Sequence, residues 1–268
     1  MVKPKPRPRG WLVGKQQIMD WLDLAKHQMV DQDYPAALRT ARRILKYIPK
    51  KDPVYAETLG VIGSVLALQK DFEQAFQILS QAVEINPNDS YLWYNRGLSA
   101  LFTSRSGQSL RDLEQAVRLE DAGKMAAEFR RQEKVARHVA ESERAMRGKN
   151  FTLDQLIEQQ ELFQYGNNLS LLGKWQEAID SFRQAIEMGD CLPQPWSNMG
   201  ACLAMQNRFD EAEAAYRRAL KIDPKYTRAK ELMDNLEAMR AHPDDKPGFV
   251  ITSPFQDVNI DLKLSDED

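Results

Sequence analysis

The stretch PQPWSNMGACLAMQNRFDEAEAAYRRALKIDPKY, residues 193–226, decides how the rest of the chain is read. Its first half sets Trp196, Met199, Gly200 and Leu203 at spacings of three and four, the period of a helix with one face to bury. Gln206, Asn207 and Arg208 form a turn, and a second stripe of Ala212, Tyr216 and Ala219 follows. Asp223-Pro224 ends it, because proline cannot continue a helix and disfavours helical backbone in the residue before it. A helical hairpin with so much apolar surface must stack on neighbours.

Those neighbours lie upstream. Residues 159–192 repeat the pattern at a period of 34, with Leu162, Tyr165, Gly166, Leu169, Ala178, Phe182 and Ala185 in the matching places. Further copies are expected at 18–51 (Trp21, Leu24, Ala25, Ala37, Pro49), at 56–89 (Leu59, Ile62, Gly63, Leu66, Ala75, Leu79, Ala82, Pro87) and at 90–123 (Trp93, Gly97, Leu113, Ala116). The small residues have a mechanical reason. Gly97, Gly166 and Gly200 fall where the two helices of a hairpin cross, and Ala75, Ala178 and Ala212 face them, so bulk at either place would force the pair apart. Repeat 1 departs with Ala25 at the glycine place and Gln28 at an apolar one, and repeat 3 with Ser109 for the small alanine and Asp121 for the terminal proline.

The period and its signature resemble the tetratricopeptide repeat. The resemblance implies an all-α chain: a right-handed α-α superhelix, or solenoid, whose concave surface is lined by the first helix of every repeat and binds peptides or helices of partner proteins. Counting positions 1–34 from residues 18, 56, 90, 159 and 193, the first-helix positions 2, 5, 6, 9, 12 and 13 point into that groove. The candidate partner-binding residues are Tyr91, Tyr94, Asn95, Phe163, Asn167, Ser197, Asn198 and Arg228, with Lys26, Ser64, Leu98, Gln160, Gln164, Ser170 and Met205 beside them. Amides there can bond a peptide backbone while aromatic rings cover its side chains. The carboxylate clamp by which co-chaperone members of the family grip an acidic C-terminus is matched at Asn167, Asn198 and Arg228; Phe163 and Leu232 stand where it needs basic residues.

The domain organisation expected is a basic, proline-rich segment at 1–17, an N-terminal lobe of three repeats at 18–123, and a long basic connecting helix at 124–151. A C-terminal lobe of two repeats plus a capping helix follows at 152–241, then an acidic tail at 242–268. The connecting segment reads as one helix from about Ala122 to Met146, ended by Gly148, Lys149 and Asn150. Thr152 with Gln155 three residues on is a capping box, so the first helix of repeat 4 starts early. Thr227 to Ala241, with Leu232, Met233 and Leu236 on one side, reads as the helix that closes the open end. Val258, Ile260, Leu262 and Leu264 alternate like a strand in the tail, and the segment from Phe249 to Leu264 is expected either to dock in extended form, in the groove or along the solenoid's side, of its own chain or in self-association with a neighbour, or to be a disordered linker whose acidic end aids solubility.

Composition bounds the function. With 268 residues, 43% of them hydrophobic, and a net charge of −2, generic attraction to nucleic acid or anionic membrane is disfavoured. The connecting helix and its end carry Lys124, Arg130, Arg131, Lys134, Arg137, Arg144, Arg147 and Lys149 against Glu128, Glu133, Glu141 and Glu143. Paired charges such as Glu133 and Arg137, and the lack of a series of aromatics interleaved for base stacking, favour a solvated face over a nucleic-acid interface. Cys191 and Cys202 lack metal-site spacing and read as reduced thiols. His27, His138 and His242 have no ligand partners at suitable spacing, and no phosphate loop or nucleophile motif is present. The expectation is therefore a non-enzymatic scaffold or adaptor, with no catalytic residues, no cofactor and no metal, cytoplasmic and without a membrane span. The alternatives are a co-chaperone or client-holding chaperone recognising an acidic C-terminus, and a nucleic-acid-associated regulator using the basic central helix.

Overall fold

The computed structural model describes residues 13–120 and 122–243, and every described element is helical. Repeat 1 is the pair α1 (Lys15–Val30) and α2 (Tyr34–Ile44), repeat 2 is α3 (Pro53–Leu68) and α4 (Phe72–Ile85), and repeat 3 is α5 (Ser90–Leu101) and α6 (Ser106–Leu119). Helix α7 (Ala126–Arg147) follows. Repeat 4 is α8 (Leu153–Leu171) with α9 (Trp175–Met188), repeat 5 is α10 (Pro193–Met205) with α11 (Phe209–Ile222), and α12 (Thr227–Asp234) and α13 (Leu236–Ala241) close the described chain. Two compact units divide between His138 and Val139, inside α7. Helix α7 begins at Ala126, four residues later than its sequence pattern suggests, and the closing helix is broken at Asn235. The expected alternating segment of the tail lies outside the described residues.

Short-range chemistry sets the helix starts. Carboxylates of Asp33, Asp52, Asp71 and Asp89 accept hydrogen bonds from the backbone N–H groups of Ala36, Val54, Gln74 and Tyr91, donors that a helix N-terminus leaves without partners. Thr152 and Gln155 cap α8 reciprocally, as their spacing indicates. The hairpin turns are alike. At position 15 of each repeat the backbone takes a left-handed conformation, at Gln32, Lys70, Ser104, Gly173 and Asn207. The N–H one residue later then reaches back five residues, from Asp33 to Gln28, Asp71 to Leu66, Arg105 to Ala100, Lys174 to Leu169 and Arg208 to Leu203. This is the six-to-one bond of a Schellman ending, so each first helix stops in the same way.

The crossing within each hairpin is a pairing of small against large. A Cβ on Gly63 would fall 2.5 Å from Leu79, on Gly97 2.8 Å from Leu113, on Gly166 2.7 Å from Phe182 and on Gly200 2.6 Å from Tyr216. Position 8 is thus empty so that position 24 can be large. Repeat 1 evens the sizes: Ala25 stands at position 8 and Ala41 at position 24, both fully buried. The departure seen in the sequence is therefore matched across the hairpin.

Repeat 3 holds a buried charge where its relatives are apolar. Arg96, at position 7, donates Nε to Asp112 Oδ2 at 2.7 Å and Nη2 to Oδ1 at 2.6 Å, and Gln108 adds a 2.6 Å bond to the same carboxylate. Asp112 is fully buried, and burial pushes its carboxyl above the usual range against the pull of Arg96. The guanidinium lies 4.7 Å above the Trp93 ring. At the same position in the first repeat of each unit, Leu24 and Tyr165 are exposed, whereas Met199 is buried by the repeat before it. Tyr165 is thus not part of a buried stripe; a residue at position 7 is covered only where a repeat precedes it. The core of unit 2 also takes in Leu236 of α13, which seals the last repeat.

Two outcomes follow from these packings. Gly200→Ala gains about 1 kcal/mol of helix propensity but overpacks Tyr216, which costs about 1–3 kcal/mol, so a net loss is expected as a lower thermal midpoint in helical circular dichroism. Arg96→Met, which leaves Asp112 fully buried without its charged partner, is expected to destabilise by about 3–5 kcal/mol, whereas Arg96→Met with Asp112→Leu is expected to be near neutral or stabilising, measured by urea unfolding.

Candidate functional site

In unit 1 the first helices pack side by side, α1 on α3 and α3 on α5, and carry the sequence-predicted site on one surface. Polar side chains there are paired from one repeat to the next. Lys26 Nζ donates to Glu57 Oε1 at 2.6 Å, and Asn95 Nδ2 donates to Ser64 Oγ at 3.1 Å, each pair 31 residues apart. Ser64 in turn donates to the carbonyl of Gly60 at 2.8 Å, so the hydroxyl is fully oriented.

Tyr91 and Tyr94 extend this surface around one buried ring. Phe129 of α7 is fully buried; Tyr94 stacks on it at 4.4 Å and Tyr91 meets it edge-on at 5.6 Å. The Tyr94 hydroxyl donates to Glu128 Oε1 at 3.4 Å. Burial, then the Glu128 charge, pushes Tyr94 up to about 12, so it stays a neutral donor at physiological pH. Tyr91 remains 48% exposed. The start of α7 thus completes this surface. Sequence reasoning assigned α7 to the connection and missed it; the signal was Phe129, which follows Asn95 by one full period of 34 residues.

Unit 2 corrects the reading of its own candidates. Asn198 Nδ2 donates to Asn167 Oδ1 at 2.9 Å, again across 31 residues, but both side chains are buried. Ser197 is fully buried, and its Oγ makes no hydrogen bond among the described residues. Phe163 is buried too and meets Phe182 at 5.8 Å, inside the unit core. These four sit where neighbouring helices meet, so they hold repeats together and present little surface. Gln160 is buried against Glu143 at 3.0 Å, and Ser170 bonds Gly166 and Cys202. Gln164, Met205 and Arg228 are half-buried, and Arg228 lies 3.5 Å from Glu231. Leu232 packs against the core.

The remaining chemistry is structural. Burial pushes the Cys202 thiol up to about 11, against the bond from Ser170. Three cations of α7 are engaged: Arg137 bonds Glu133 at 2.8 Å and Glu114 at 2.7 Å, Arg144 bonds the Phe151 carbonyl at 2.8 Å, and Arg147 bonds the Glu143 carbonyl at 2.6 Å. Among the described residues no group of three or more His, Cys, Asp or Glu is placed to hold a metal ion, and no helix is long and apolar enough to cross a membrane.

Comparison with known proteins places these repeats. Two tetratricopeptide repeat models match, one over residues 22–90 and one over 193–226. The human protein O-mannosyl-transferase TMTC1 is 23% identical over 81% of this chain and 24% of its own length. The peroxisomal targeting signal receptor of Kluyveromyces lactis is 41% identical over 20% of this chain and 10% of its own length. The chain therefore spans a quarter or less of the curated relatives it matches. Among solved structures, the TPR2AB domain of yeast Sti1 in complex with an Hsp90 peptide is 17% identical over 84% of both chains, with a TM-score of 0.39. The TPR domain of P58(IPK) is 13% identical over 84% of this chain and 65% of its own, with a TM-score of 0.44. With both matched models falling on helical hairpins that share one turn, the chain carries tetratricopeptide repeats over residues 22–90 and 193–226.

Proposed function

We propose that the protein is a non-catalytic interaction scaffold that binds a segment of a partner protein on the first-helix surface of unit 1, around Tyr91, Tyr94 and Asn95. The observation that carries this reading is the half-exposed Tyr91 ring held edge-on against buried Phe129, next to the oriented Asn95–Ser64 pair. A rigid aromatic with an apolar body and a polar tip, set beside an ordered amide, is the composition of an interface anchor. Neutral Tyr94 adds a hydroxyl fixed by Glu128. The equivalent amides of unit 2 are buried in their mutual bond, which favours unit 1 as the binding face.

The same bond weighs against recognition of an acidic C-terminus. A clamp would use Asn167 and Asn198, but these are spent on each other, and Phe163 and Leu232 supply no charge. A nucleic-acid interface on α7 draws little support: Arg130, Arg131 and Lys134 are exposed, but Arg137, Arg144 and Arg147 are engaged and Phe129, the aromatic of the helix, is buried and offers no ring for base stacking. Docking of the chain's own tail concerns residues outside those described.

A photo-crosslinking amino acid placed at Lys26 or Leu98 of the full chain is expected to capture one partner segment from native extract. Tyr91→Ala and Asn95→Ala are each expected to weaken that partner's binding about 5- to 30-fold, the effect of removing an interface anchor, at unchanged thermal midpoint. Equal binding by both variants, with crosslinks only from positions in unit 2, would overturn the assignment.

A further inference from the structure

The charge of this chain is unevenly placed. Its first 51 residues hold twelve Lys and Arg against four Asp, a net of +8, so the remainder carries −10 of the total of −2. Half of those cations fall on one element. From Tyr34 to Lys51, across α2 and the turn that follows it, stand Arg39, Arg42, Arg43, Lys46, Lys50 and Lys51 with no acidic residue among them. Other second helices differ: α4 has no Lys or Arg, and Arg183 of α9 and Arg217 and Arg218 of α11 are each paired with a carboxylate.

The fold turns that run into a surface. Ala37, Ala41 and Ile44 are buried on one side of α2. Arg39, Arg42, Arg43 and Lys46 recur at intervals of three and four on the opposite side, and bonds from the N–H groups of Lys46 and Tyr47 to the carbonyls of Arg43 and Ile44 carry the winding past the helix end. All six cations are exposed, and among the described residues none of their side chains makes a hydrogen bond or an ion pair. Nearby acids do not offset them. Asp33 and Asp52, which bracket the run, accept from the backbone at Ala36 and Val54. The helices packed against α2 add Asp20, Asp23 and Glu57 against Lys15 and Lys26, a net of −1. Arg43 is set in place by a ring instead of an acid: its guanidinium lies 3.8 Å above Trp21, which packs on Tyr47 at 5.7 Å, so its N–H donors stay available.

The surface also selects among polyanions by what it lacks. A protein interface has an apolar centre and a peripheral membrane site has apolar groups to insert, yet no large hydrophobic residue between 34 and 51 is exposed. A single strand needs open rings on which its bases stack, yet Trp21 and Tyr47 are half-buried and Arg43 lies over the Trp21 face. Charge alone remains, and charge alone suffices to hold the phosphate backbone of a duplex without reading its sequence.

We infer that α2 and the turn after it form a docking surface for double-stranded nucleic acid, separate from the Tyr91 site, with the six cations on backbone phosphates. The acidic remainder of the chain disfavours contact elsewhere.

The test titrates the full chain against a fluorescein-labelled DNA duplex of about 20 base pairs and mixed sequence, read by anisotropy between about 50 and about 200 mM salt. Six phosphate contacts give a slope of about −5 in log affinity against log salt, a loss on the order of a thousandfold across that range. Arg39→Ala with Arg42→Ala and Lys46→Ala changes only exposed side chains and leaves Arg43 on its ring. It is expected to bring the slope to about −3 and to weaken binding at the lower salt by more than about tenfold, at an unchanged melting curve. Arg130→Ala with Arg131→Ala in α7, and Tyr91→Ala, are each expected to leave duplex binding unchanged. No binding at the lower salt, an unchanged slope in the triple variant, or loss of binding with the α7 pair would each overturn the proposal. So would tighter binding, at equal charge concentration, of a glutamate-rich peptide, of vesicles containing phosphatidylserine or of a single strand of the same sequence, each of which would assign the surface to a different partner.

Discussion

Everything in this molecule depends on how closely two helices of a hairpin can cross. At position 8 the backbone comes near enough that a side chain at position 24 fills the space a Cβ would need. Four repeats solve this with glycine against Leu79, Leu113, Phe182 or Tyr216, and one with alanine against alanine. The large partner is tolerated only where position 8 is glycine; with alanine at position 8, position 24 is small as well. Close crossing also lets the same six-to-one bond close every turn, so the hairpins stack in register.

Identical turns have a consequence at the surface. Because each first helix ends in the same conformation, one residue per repeat is placed at the same point on an edge, and its chemistry is multiplied along the stack. In a globular core an exposed leucine is an isolated event. In a repeat array an exposed apolar residue recurs with the turn, as at Val30, Leu68 and Phe102.

The first-helix surface shows the opposite economy. Polar residues that a sequence reading leaves free are paired with a polar residue of the next repeat, at a separation of 31 residues in Lys26–Glu57, Ser64–Asn95 and Asn167–Asn198. These bonds tie neighbouring first helices together, and in unit 2 both amides are buried in theirs. At the aromatic end of unit 1, Tyr91 keeps half its surface exposed.

The sequence by itself determined the fold class, the 34-residue period, the glycine crossings and the capping box at Thr152, because these arise from periodicity and local backbone chemistry that one repeat contains. It also marked Tyr91, Tyr94 and Asn95 as surface groups. Only the tertiary structure decided that Phe163, Asn167, Ser197 and Asn198 are spent on packing, since their burial depends on the neighbouring helix and not on their own. It likewise decided that Phe129 packs against Tyr91 and Tyr94 and that Tyr165 lies open, because coverage at those places is set by whether another helix stands in front of them. Position in a repeat fixes the direction of a side chain; only the stack fixes what it meets.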